Sequence, residues 1–195
     1  MMRVDDLPPT FTTDQARALG VHPRELYAWR DDEAVLELSR GVFRRADAPP
    51  ASLPDVLAVS LRAPRAIVCC VSAAAIHAIT DELPSAVQIA VPRSGHSPAI
   101  DFPPTTVLRF ADAGFELGLS SVEAAPGESV RVYDAARTVV DLIRLRHRFG
   151  ESVAYAALQR YLSGPQSRPA QLLKYADALG AFGPVRAALD VAVSR

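Results

Sequence analysis

The sequence predicts a mixed α/β (α+β) fold: an N-terminal winged helix-turn-helix over residues 1–48, then an α/β domain over 49–195 that ends in a helical set. Three observations carry this. The first 46 residues read as helix, tight turn, helix and β-hairpin. The stretch DAPPASLP at 47–54 breaks every periodic pattern with three prolines. Beyond it, short apolar runs give way after Asp134 to stripes at helical spacing. With 49% hydrophobic and 22% charged residues, the 195-residue chain can bury a core and does not read as disordered.

Thr12 or Thr13 is placed to cap a first helix that stops at Gly20, and Val21 seals the turn. His22-Pro23-Arg24-Glu25 opens the second, with proline where a missing N–H costs little. Leu26 and Trp29 face inward and leave Arg24, Tyr27, Ala28 and Arg30 outside or on the flank. Val35-Leu36-Glu37-Leu38 and Val42-Phe43-Arg44 read as strands joined by Ser39-Arg40-Gly41. Only about ten residues precede the first helix, too few for the usual leading helix of a winged module, so residues 53–62 are its candidate replacement.

In the longer part, residues 53–62 form an amphipathic stretch ended by Pro64. Ile67 to Val71 is a short buried run, with Ser72 capping a helix over 73–79. Strands are expected at 87–91, 107–110 and 130–133. Four helical stripes follow, marked by Val139, Leu142 and Ile143; by Ala154, Leu158 and Tyr161; by Leu172, Ala176 and Leu179; and by Val185, Ala188 and Leu189.

A winged module presents the start of its second helix to the major groove. His22 stands at that start, Arg24 can pair with guanine, and Tyr27 can meet a phosphate or a thymine methyl. Thr12 and Thr13 can hold phosphate at the first helix, while Arg40, Arg44 and Arg45 suit the minor groove or backbone. The competing reading makes these ordinary solvated arginines on a protein-docking module. Residues 1–48 carry seven arginines against nine acids, a net charge of −2, which does not favour phosphate neutralisation.

The stretches FTTDQARALGVHPRELYAWRDD and LELSRGVFRRAD resemble the N-terminal domain of AbiEi-type antitoxins, the antitoxin half of AbiE (type IV) toxin–antitoxin systems. LRAPRAIVCCVSAAAIHAITDELP, VQIAVPR and VRVYDAARTVVDLIRLRHRFG resemble the family's C-terminal antitoxin region. The resemblance implies a winged module that binds inverted repeats in its own promoter. It also implies a second domain that counters a nucleotidyltransferase toxin encoded alongside.

For that toxin, two contact surfaces suggest themselves. On a helix over 136–149, Arg137, Asp141, Arg144 and Arg148 share one face, which could meet an acidic rim; alternatively the face is solvated, with Asp141 paired to Arg137 or Arg144. Arg93 and His96, in the basic loop after the 87–91 strand, are the second.

Enzymatic chemistry finds little support. Lys174 is the sole lysine, no nucleophile elbow or glycine-rich phosphate loop is present, and His77 lies among Ala and Ile. Cys69 and Cys70 are adjacent in an apolar run, expected to pack as small hydrophobes. No catalytic set, metal site, cofactor or membrane association is expected. A cytoplasmic protein is.

Overall fold

The computed structural model describes residues 3–165 and 167–193 and is a mixed α/β structure. The chain divides into two compact units. The first runs to Arg65 and takes in Pro98–Thr105 and Glu123–Val130; the second holds Ala66–Ser97, Thr106–Val122 and the chain from Arg131.

In the first unit a 3-10 turn, Val4–Asp6, and strand β1, Thr10–Thr12, stand where a winged module would carry its leading helix. Helices α1, Thr13–Ala18, and α2, Pro23–Asp31, follow, then β2, Val35–Ser39, β3, Val42–Arg45, and α3, Pro54–Arg62. Strand β1 is an addition to the sequence expectation; it is three residues long and merges into the cap of α1, so no periodicity marks it. It pairs antiparallel with β3, giving a sheet of order β1-β3-β2. The pairing sets Phe11 opposite Phe43, whose rings stack 6.1 Å apart. Around them Leu7, Ala16, Val21, Leu26 and Val35 close a core, with Val4 and Trp29 packed on it. Helix α3 packs against β2 and β3. The module expected over 1–48 lies inside this larger unit.

The remaining strands form one sheet, ordered β6-β5-β4-β8-β7. They are β4, Ile67–Val68; β5, Val87–Pro92; β6, Thr105–Phe110; β7, Leu119–Ala125; and β8, Glu128–Tyr133. Strand β4 runs antiparallel to β5 and parallel to β8, with Val68 opposite Val132. Strand β7 was not legible in the sequence. It is an edge strand whose Leu119, Ser120, Ser121 and Glu123 are exposed, so it lacks an apolar alternation.

The apolar run at 67–71 is not one strand. It leaves β4 after two residues, and helix α4, Cys70–Ile76, starts before the expected Ser72 cap. Gln88 of the neighbouring strand explains this. Its carbonyl accepts from Cys69 N at 2.9 Å, its side chain accepts from Val71 N at 2.8 Å, and its N–H donates to Ser72 Oγ at 2.9 Å. The Ser72 hydroxyl is thus engaged by β5.

After β8 come α5, Ala135–Arg144; α6, Arg146–Phe149; α7, Glu151–Ser163; α8, Pro169–Ala178; and α9, Phe182–Val193. Asp134 caps α5 by accepting from Arg137 N at 2.7 Å. The helix expected over 136–149 is broken at Leu145. Helix α5 packs against α4, α7, α8 and α9, and each residue from Ala135 to Ile143 is buried. A helix enclosed on all sides has no solvated face. Gly118 is part of the same packing: at φ +76°, an added Cβ would stand 2.5 Å from the Cβ of Arg137.

Candidate nucleic-acid interface

The recognition geometry begins with two helix starts. Thr12 caps α1 by accepting from Gln15 N at 3.2 Å, and the Gln15 side chain returns to Thr12 N at 2.8 Å. Thr13 N donates to Gly41 O at 2.9 Å, and its hydroxyl reaches the same carbonyl at 3.4 Å. The groups expected to hold phosphate at Thr12 and Thr13 are therefore engaged within the fold, and α1 is only six residues long.

Helix α2 is different. His22 Nδ1 accepts from Arg24 N at 3.1 Å, and Glu25 accepts from His22 N at 3.1 Å, so the start of the helix is fixed by its own residues. Leu26 is its one fully buried residue. Arg24 and Tyr27 are exposed, and among the described residues no ion pair engages the Arg24 side chain. Tyr27 meets Phe43 edge-on at 6.5 Å, and the Arg30 guanidinium lies 4.9 Å from its ring. Arg30 also pairs with Asp31 at 2.9 Å, a hydrogen bond that raises its already high pKa, and with Glu37 at 3.5 Å. Beyond α2, Glu33 adopts φ 59°, a left-handed turn built without glycine.

The wing contributes less than its arginines suggested. Arg40 is exposed at the tip. Arg44, expected on DNA, is turned inward at 5% exposure: it pairs with Glu128 at 2.5 Å and donates to Thr10 Oγ1 and Pro49 O. Arg45, also expected on DNA, donates to the carbonyls of Asp5 at 2.8 Å and Leu7 at 3.0 Å, and pairs with Asp47. That contact holds the Asp47 carboxyl below its ordinary range. Strand position explains the correction: β3 is the central strand of its sheet, and Val42, Phe43 and Arg44 are buried in succession, so both of its faces are covered where Arg44 stands. Glu128 lies 84 positions along the chain, and no local signal announces it.

In the second unit, the arginine face of α5 is likewise not solvated. Arg137 is 1% exposed and Asp141 fully buried; they pair at 2.9 Å, and Arg144 adds a contact to Asp141 at 2.8 Å. Arg137 also donates to Gly114 O at 2.8 Å and Leu117 O at 2.6 Å, and lies 4.2 Å from the centre of the Tyr133 ring. Burial pushes the Asp141 carboxyl up, against the pull of Arg137 and Arg144. Burial also raises the Tyr133 hydroxyl and the Cys69 thiol. Arg137 is thus a core residue, which removes it from any partner surface. Arg144 is part-exposed, and its side chain lies 5.0 Å from the Phe110 ring. Arg148 is exposed on α6, on a separate element from Arg144. Arg93 and His96 are exposed in their loop, which Arg109 braces by donating to Arg93 O at 2.8 Å and Gly95 O at 3.1 Å.

Other reactive groups are occupied. His77 Nε2 lies 2.7 Å from Tyr133 O, and Arg160 pairs with Asp81. Cys69 and Cys70 are buried thiols. Among the described residues, no cluster of His, Cys, Asp or Glu is placed to hold a metal, and no helix is long and apolar enough to cross a membrane.

Residues 2–46 match the family described as a transcriptional regulator, AbiEi antitoxin. Among curated proteins nothing matches the chain. Of solved structures, that of the RV2827C protein from Mycobacterium tuberculosis is similar at 15% identity, with a TM-score of 0.52 over 95% of this chain and 77% of that one. This likeness concerns the fold.

Proposed function

We propose that this chain is the antitoxin of an AbiE-like type IV toxin–antitoxin system, a cytoplasmic, non-enzymatic protein that represses its own operon. Its winged module binds inverted repeats in the promoter, and its second part counters a cognate nucleotidyltransferase toxin. The observation that carries this reading is the match of residues 2–46 to AbiEi regulators over the same segment that folds as a winged helix-turn-helix. His22, Arg24, Tyr27 and Arg40 are the residues proposed to face DNA. Arg24 reads a guanine at the start of α2, and Arg40 meets a phosphate or the minor groove. The exposed Arg93, His96 and Arg148 and the part-exposed Arg144, which also pairs with Asp141, remain the candidates for the toxin, where cationic side chains suit an acidic rim.

A second reading, a winged protein-interaction module or a regulator with no toxin partner, is favoured by the inward turn of Arg44 and Arg45 in a module that already carries net −2. Gel shifts on DNA upstream of the chain's own gene, titrated with salt, separate the two. The repressor reading expects binding that weakens steeply with salt. Arg24→Ala should cost about 1–3 kcal/mol and relax specificity at one base pair. Absence of binding at low salt ends the repressor role. Co-expression with the neighbouring gene tests the antitoxin role, which requires relief of growth arrest.

A further inference from the structure

The wing turn of Ser39, Arg40 and Gly41 is held from several directions. Ser39 Oγ donates to Phe102 O. Gly41 N donates to Glu37 Oε1 at 3.1 Å, and Gly41 O receives Thr13 N at 2.9 Å. Gly41 itself has φ +74°, with the Thr13 hydroxyl 3.2 Å from where a Cβ would stand. The remaining tether comes from outside the hairpin. Arg62, in the last turn of α3, donates through one Nη to Arg40 O at 2.5 Å and through the other to Ala99 O at 3.1 Å. One guanidinium thus bridges two carbonyls.

Beside this clamp opens a polar groove of about 480 Å³, lined in part by Thr13, Tyr27, Glu37, Arg40 and Arg62. Its acids are already answered: Glu37 by Gly41 N and Arg30, and Asp14 by Arg17 at 3.6 Å. Among the described residues no ion pair or hydrogen bond engages the Arg40 side chain, so its charge is available to an anion.

We infer that Arg62 is a positioning residue: by bridging the carbonyls of Arg40 and Ala99 it fixes the wing tip, so that Arg40 meets a DNA phosphate at the groove beside Tyr27. The inference rests on the DNA-binding reading above. A tethered turn binds with little loss of conformational freedom, whereas an untethered one must be ordered on contact. Lysine cannot replace the clamp, because a single ammonium lacks the planar fork that spans two acceptors.

The test measures affinity for the upstream DNA against salt concentration for the full chain and for Arg40→Ala, Arg62→Ala, Arg62→Lys and the Arg40→Ala/Arg62→Ala double variant. Arg40→Ala should weaken binding about tenfold and reduce the salt slope by about one. Arg62→Ala should reproduce that loss, the double variant should add little to it, and Arg62→Lys should fail to restore binding. If Arg62→Ala unfolds, Arg62→Lys, which keeps charge and stem, carries the test. Restored affinity in Arg62→Lys, or additive losses in the double variant, would mean that Arg62 touches DNA itself and would overturn the clamp. An Arg62→Ala protein that binds like the parent would overturn it too. A parent chain that binds no DNA defeats the repressor reading, a separate outcome.

Discussion

Helices α2 and α5 both place arginines at helical spacing, yet they use them in opposite ways. In α2 only Leu26 is fully buried, and Arg24 projects into solvent from a start fixed by His22 and Glu25. In α5 every residue from Ala135 to Ile143 is buried, and Arg137 becomes the centre of a network of carbonyls, an aspartate and an aromatic ring. The difference lies in what surrounds each helix. Spacing shows which residues share a face, whereas tertiary packing decides whether that face meets water or core.

The largest effect expected from this contrast is at Arg137. Arg137→Met leaves Asp141 buried with only Arg144 beside it, and should cost about 3–5 kcal/mol of stability. Adding Asp141→Leu should recover much of that loss, because removing both charges of a buried pair is far less harmful than stranding one. Denaturant melts of the two variants check this, and a loss below about 1 kcal/mol for Arg137→Met would return the residue to the surface class.

Glu128→Gln comes next. It removes the charge opposite Arg44 while keeping an acceptor near Arg44 Nη1, and should destabilise by about 1.5–3 kcal/mol. An unchanged melting temperature would mean that Arg44 is held by Thr10 and Pro49 alone.

The smallest effect has the opposite sign. Glu33 stands at φ 59°, a conformation that costs a residue with a Cβ about 1 kcal/mol. Glu33→Gly should therefore raise stability by about 1 kcal/mol, read as an upward shift in the melting midpoint, and a decrease would show that Glu33 contributes more than its backbone costs.

The legibility of the molecule follows the range of the interactions involved. Helix α2 was readable because Pro23, the His22–Glu25 cap and the inward Leu26 are all local. The wing was readable because Gly41 marks its turn. Strand β1 was not, since three residues cannot display a period, and β7 was not, since its exposed edge needs no apolar alternation. The early start of α4 depends on Gln88 from another strand. The roles of Arg44 and Arg62 depend on Glu128 and Ala99, distant in sequence, and an arginine in a strand or helix gives no hint of such a partner. Of the expected DNA set, Thr13, Arg44 and Arg45 prove to be engaged by residues distant in sequence for this reason, whereas Thr12 and His22 are engaged locally as helix caps.

The central claim is that the arginines of the winged module divide into readers and braces. Parallel measurement of promoter affinity and melting temperature for Arg24→Ala and Arg44→Ala tests it most directly. The account predicts that Arg24→Ala binds its site more weakly at an unchanged melting temperature, while Arg44→Ala melts earlier. An Arg44→Ala protein that melts like the parent but loses affinity and salt dependence would contradict it.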